Sequence, residues 1–240
     1  KSSNPLSNAN IIYVKDTLAA FQELAVYHRE KFSFPVMAIT GSNGKTLVKE
    51  WLFQLLHSEF QIVRSPKSFN SQIGVPLSIW NLRNEHNFAV IEAGISEPNE
   101  MTKLQRMIKP TMGLFTNLGE AHSEGFSSDN QKLKEKLKLF TNCKVLFYGK
   151  DDKRVEKQIS TLSGALEVKN WSLKGEADLQ VTSIEKEPDW AHIAAKYQDK
   201  EISISIPFSD DASIENAIHC WLVCLYYKID PVVLKSRFRM

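Results

Sequence analysis

"VMAITGSNGKTLVKEW", residues 36–51, is the stretch from which the rest of the chain can be read. Val36–Thr40 is an unbroken apolar or β-branched run, as expected of a strand buried on both faces. Gly41 and Gly44 follow, and glycine tolerates backbone angles that other residues avoid, so successive N–H groups can face an anion. A helix beginning near Lys45 would add the positive end of its dipole. Lys45 can reach outer phosphates, and the Thr46 hydroxyl can ligate Mg²⁺. Strand, glycine turn and helix in this order predict a phosphate-binding loop. The general spacing G-x-x-x-x-G-K-[ST] would place glycine at position 39, where this chain has Ile39.

Strand and helix patterns alternate outward from the loop. Asp16 can cap a helix running to about Glu30. After the loop come a helix over Lys45–His57, a strand at Gln61–Arg64 and a helix over Val75–Leu82. Strands are expected at Phe88–Glu92, Met112–Asn117 and Lys144–Tyr148, with helices over Glu97–Ile108 and Asn130–Phe140 between them. Such alternation implies right-handed βαβ units on a parallel sheet. From about Leu166 the pattern changes. "ADLQVTSIEKE", "AHIAAKYQ" and "KEISISIPF" alternate with period two and predict antiparallel strands. A helix over Ser213–Lys228 carries Ile214, Ala217, Ile218, Trp221 and Leu225 on one stripe. The expected fold is α/β: a mostly parallel P-loop sheet flanked by helices, with a smaller antiparallel β appendage in the C-terminal third. The tail "PVVLKSRFRM" carries no ending signal, as if more chain should follow.

Composition narrows the function classes. A net charge of +2 on 240 residues gives no general attraction for polyanions, so nucleic acid is not an expected partner. The absence of a run of about 18 apolar residues argues against a membrane span. The polar start "KSSNPLSNAN" lacks the apolar core of a signal peptide. Cys143, Cys220 and Cys224 form no even framework and read as buried reduced thiols, which suits a cytoplasmic location.

Ligands of open α/β sheets bind beyond the carboxyl ends of the strands. "FAVIEAG" ends there in Glu92, either as a hard oxygen ligand for Mg²⁺ or as a salt-bridge or capping group. "GLFTNLGEAH" delivers Asn117 and His122; by spacing alone His122 reads as a surface histidine. In "QKLKEKLKLF" the four lysines look like a solvated face, with Lys132 and Lys136 on one side and Lys134 and Lys138 on another.

In combination these segments resemble the Mur ligases, the ATP-dependent amide-forming enzymes of peptidoglycan synthesis. The family's phosphate loop has the short form T-G-S-N-G-K-T. "NSQIGVP" (70–76), "IEAG" (91–94) and "TNLGEAH" (116–122) resemble its later segments in order and spacing. "AFQELAVYHREKF", "GEAHSEGF" and "EKLKLF" resemble the branch that adds D-alanyl-D-alanine to UDP-MurNAc-tripeptide. "SFNSQIGVPLSIW" and "ASIENAIHC" resemble the form fused to an alanine racemase.

The resemblance implies roles. Gly41, Ser42, Asn43, Gly44, Lys45, Thr46, Asn117 and Asn216 would bind ATP. Thr46, Glu92 and His122 would ligate Mg²⁺. Asn70 and Ser71 would contact the acceptor substrate, and Lys45, His122 and Lys136 would serve the chemistry. Lys136 aligns with the lysine that the family carbamylates, a reaction that needs a neutral amine first. Leu47, Ser71, Ala212 and Ser213 depart from the family pattern. The resemblance also implies that residues 15–240 form the central ATP-binding domain, that 1–14 are the tail of a UDP-binding domain, and that a C-terminal domain would follow. Another Mur-type or folylpolyglutamate-like ligase, or a P-loop small-molecule kinase, is the competing reading. A GTPase should carry a guanine-reading N-K-x-D, which does not occur.

Overall fold

The computed structural model describes residues 10–119, 125–162 and 166–239. Chain order among these residues begins with helix α1 (Thr17–Arg29), strand β1 (Val36–Thr40), α2 (Lys45–Leu56), β2 (Ile62–Arg64), α3 (Gly74–Ile79), β3 (Phe88–Glu92), α4 (Glu100–Ile108) and β4 (Met112–Phe115). It continues with α5 (Asp129–Leu137), a 3₁₀ turn (Lys138–Phe140), β5 (Val145–Gly149), α6 (Lys153–Ile159), β6 (Glu167–Ser172), β7 (Leu179–Lys186), β8 (Ala191–Tyr197), β9 (Lys200–Ile206), α7 (Asp211–Tyr226) and α8 (Pro231–Arg237).

The strands form one sheet in the order β2-β3-β1-β4-β5-β6-β7-β8-β9. Pairing is parallel from β2 through β7. It is antiparallel in β7–β8–β9. The α/β expectation therefore holds, and so does the antiparallel C-terminal part. The two parts are hydrogen-bonded through Trp171–Leu179 into a single sheet.

Alternate residues of the central strands feed two cores. Met37 and Ile39 of β1 face α2 and α7, with Leu52, Phe147, Trp221 and Leu222 around them. Val36 and Ala38 face the other side, with Ala25, Ile79, Leu104 and Leu137. Burial on both faces explains why these strands read as continuous apolar runs.

Several element ends differ from expectation. The first helix has the expected cap, since the Asp16 side chain accepts from the Ala19 N–H. Helix α4 starts at Glu100, because Asn99 takes a left-handed φ of 69° and the Glu100 carboxylate folds back onto the Ser96 and Glu97 amides. The helix over 211–226 is buried almost all round from Ser213 to Leu225, not along one stripe. The tail holds α8, with Pro231 in its first turn and Asp230 accepting from the Val232 and Val233 amides. An Asp-Pro pair before an apolar run is a helix-start signal that the sequence reading passed over.

Candidate active site

The β1–α2 loop lies where the expected phosphate loop should be, and it is bound to the segment after β4. The Ser42 N–H donates to the Asn117 carbonyl at 2.9 Å, and the Asn43 N–H donates to Asn117 Oδ1 at 3.1 Å. The Thr116 hydroxyl donates to the Asn43 carbonyl at 2.6 Å, and the Ser42 hydroxyl to the Gly119 carbonyl at 3.0 Å. Gly41 has φ 144° and Gly44 φ 80°. A Cβ on Gly41 would stand 2.0 Å from Thr116 Oγ1, and one on Gly44 would stand 2.2 Å from Asn216 Oδ1. Both glycines are therefore required by angle and by space. Gly44 is the N-cap of α2, and no side chain caps that helix. Its N-terminal dipole end thus opens toward the loop.

Three expected groups meet beside β3. The Thr46 hydroxyl donates to Glu92 Oε2 at 2.9 Å, and the Asn70 amide donates to Glu92 Oε1 at 2.7 Å. Glu92 is buried at the strand end, and its own N–H donates to Ser65 Oγ at 3.0 Å. Ser71 Oγ accepts from the Gly74 N–H at 3.2 Å, ahead of α3. Lys45, Asn70, Ser71, Gly94, Ser96 and Lys136 line a cleft of roughly 210 Å³. On the other side of the loop, the ends of β4, β5 and β6 frame a second cavity of roughly 250 Å³, lined by Thr116, Asn117, Asp151, Trp171 and Glu215. Asn216, one residue on from Glu215, is buried against Gly44.

The lysines divide along the two sides that helical spacing implied, and the structure shows which pair is buried. Lys132 and Lys136 are buried, while Lys134 and Lys138 are exposed, so only half of the supposed solvated face is solvated. Lys136 donates to the Gly41 carbonyl at 3.1 Å, and Lys45 donates to the Gly41 and Ser42 carbonyls at 3.0 and 3.1 Å. Burial, followed by the charges of Lys45 and Lys132, pushes the Lys136 amine down to about 7. The Lys45 amine is also lowered, chiefly by burial, with Glu92 opposing the shift. His122 lies outside the described residues.

Two groups at the site escaped the sequence reading. Lys49 is fully buried beneath Glu92, one helical turn after Lys45; that i, i+4 spacing was the available signal. His219, on α7, touches the floor of the loop. Its Nδ1 accepts from the Trp171 indole at 3.0 Å, so Nε2 carries the proton and donates to the Thr116 carbonyl at 2.9 Å. Burial lowers this histidine to about 4, which keeps the imidazole neutral. Cys143, Cys220 and Cys224 are free and buried, as expected.

These features define a domain of the α/β class with a glycine loop between β1 and α2, a carboxylate at the neighbouring strand end, and a cavity on each side. The chain belongs to the Mur ligase family: the family described as the Mur ligase middle domain matches residues 39–224. Among curated relatives, the UDP-N-acetylmuramoyl-tripeptide--D-alanyl-D-alanine ligase of Bacillus subtilis is 28% identical over 95% of this chain and 49% of its own length. The ligase of the same name from Haemophilus influenzae is 40% identical over 49% of this chain and 26% of its own length. The chain thus spans about half the length of the first of these relatives. Among solved structures, MurF from Acinetobacter baumannii shares the fold with a TM-score of 0.85 at 24% identity, over 95% of this chain and 50% of that one. The MurF ligase of Thermotoga maritima in complex with ADP gives 0.84 at 22% identity, over 98% and 55%.

Proposed function

We propose that this chain is the ATP-binding unit of a ligase that adds D-alanyl-D-alanine to UDP-MurNAc-tripeptide. The observation that carries the reading is the cleft beside the phosphate loop lined by Lys45, Asn70 and Lys136, with Asn70 hydrogen-bonded to Glu92 and Glu92 to Thr46. The relatives named above bear the name of this reaction. The cavity beyond β4, β5 and β6 takes the nucleoside, because the opposite cleft holds the acceptor-facing Asn70 and Ser71.

The residues fit Mg²⁺. Thr46 and Glu92 supply a hydroxyl and a carboxylate oxygen already in hydrogen-bond contact. Among the described residues no cluster of three His, Cys, Asp or Glu side chains could hold a metal. Mg²⁺ commonly accepts that arrangement, since it takes one or two protein oxygens and completes its shell with phosphate and water. When bound, it would offset negative charge on the phosphates.

The reaction needs positioning and charge neutralisation more than covalent help from the protein. The acceptor carboxylate oxygen attacks the γ-phosphorus in line, the bond to the β-bridging oxygen breaks, and ADP leaves with an acyl phosphate formed. The amine of D-alanyl-D-alanine then adds to the acyl carbon, loses a proton and expels inorganic phosphate. Lys45 leaves its loop carbonyls to meet the outer phosphates. Asn70 and Ser71 orient the acceptor. Lys136, with its amine lowered to about 7, is half neutral at that pH and so can form a carbamate.

The reading also places flanking UDP-binding and C-terminal ligase domains around residues 15–240, and expects the 240-residue chain alone to bind Mg-ATP without forming amide. The test is Lys45→Ala in the complete ligase, assayed for phosphate release with both substrates. Loss of turnover is expected; turnover equal to wild type contradicts the assignment.

A further inference from the structure

Lys49 is fully buried, and none of the roles above uses it. Burying an ammonium is costly unless its partners are well placed. Three partners surround it. Glu50 Oε1 lies 3.1 Å from Nζ and Glu92 Oε2 lies 3.8 Å away. The amine also donates to the Lys67 carbonyl. Lys67 is the conspicuous member, because it holds a left-handed φ of 47° without being glycine. It sits in a turn closed by the Phe69 N–H donating to the Pro66 carbonyl at 3.0 Å. A non-glycine residue in that region is strained and persists only when its surroundings hold it. Here the Lys67 carbonyl accepts from the buried Lys49 ammonium.

The turn leads directly to Asn70 and Ser71. Asn70 returns to the same carboxylate through Nδ2, and its carbonyl accepts from the Gly94 N–H at 2.8 Å. Glu92 is therefore gripped from the nucleotide side by Thr46, from the acceptor side by Asn70, and from below by Lys49. Glu50, the other carboxylate on Lys49, is turned outward to Arg64 at 2.8 Å.

We propose that Lys49 is a positioning residue that joins the acceptor loop, residues 65–71, to the Glu92 carboxylate, so that filling the phosphate-loop site is transmitted to the loop that receives the acceptor. The proposal rests on the nucleotide reading of the site. It assigns Lys49 no contact with nucleotide.

The experiment is amide hydrogen exchange of residues 67–69 in the 240-residue chain, with and without Mg-ATP, beside calorimetric titration of the same nucleotide. In the wild type, Mg-ATP should slow exchange in the turn by about tenfold or more, a coupling of ordinary allosteric size. In Lys49→Met, ATP should bind within about threefold of wild type while the added protection of the turn falls below about twofold. Lys49→Gln provides a smaller change should the methionine variant not fold, and Glu50→Gln should leave the protection intact. Protection equal to wild type in a folded Lys49 variant overturns the proposal. So does a Glu50→Gln variant that loses the protection as fully as Lys49→Met, because the pair with Glu50 alone would then explain it. Failure of the wild type to bind Mg-ATP overturns instead the reading on which the proposal rests.

Discussion

Individual residues at this site are constrained by space and by charge, and the two constraints give different predictions. Gly41 has no room for a side chain, since an added Cβ would meet the Thr116 hydroxyl and the Asn117 backbone. Gly41→Ala should lower stability by about 2 kcal/mol or more, in the range of strained or overpacked substitutions. Urea unfolding of the variant checks this. Lys136 is constrained by charge. Its amine releases a proton near pH 7 in the folded chain and near 10.5 when unfolded. Below pH 7 both states are protonated and the cost of burying the charge is fully present. Between pH 7 and 10.5 the unfolded chain holds more protons, so stability from this group rises with pH. Lys136→Met, which keeps the length and removes the charge, should be more stable than wild type at pH 6 and show a flatter rise above pH 7. A parallel pH dependence in the two proteins would count against the lowered amine.

At the scale of elements, α7 fastens the phosphate loop to the sheet through His219. The chain of contacts runs from Trp171 on β6, through the imidazole, to the Thr116 carbonyl after β4. Folded His219 takes up a proton only near pH 4, against 6.5 for the free side chain. As pH falls from 6.5 toward 4, the unfolded chain gains a proton first, so stability is lost over that window, by roughly 3 kcal/mol in all. His219→Gln should remove that part of the acid slope in thermal melts taken across pH 4–7. An unchanged slope would place the acid sensitivity elsewhere. The same element shows how far a sequence can be read. The central strands and α1, α2 and α5 were legible because apolar periodicity and caps such as Asp16 leave local marks. The all-round burial of α7 was not, because it depends on α2, α8 and the strands β5 and β6 all docking around it. Helix α8 was legible in principle from Asp230-Pro231.

Over the whole molecule, one continuous sheet places the β1–α2 loop between a cleft beside β3 and a second cavity beyond β4, β5 and β6. Position at strand ends marked the loop, Glu92 and Asn117, whereas Asn70 and Ser71 were marked only by the resemblance of "NSQIGVP" to a Mur-ligase segment. The sequence could not rank the lysines of "QKLKEKLKLF", since burial of Lys132 and Lys136 depends on where α5 docks. Lys49 was hidden for the same reason. Among the described residues no helix is long and apolar enough to cross a membrane. The family match, the loop and the two cavities lead to one central claim, that this chain binds Mg-ATP through Lys45. Calorimetric titration of ATP with Mg²⁺ into the 240-residue chain and its Lys45→Ala variant tests it most directly. Removing one charge-assisted contact should weaken binding by about tenfold or more. Saturable binding by the wild type with such a loss in the variant is the predicted result. No binding by the folded wild type, or equal binding by both, would contradict it.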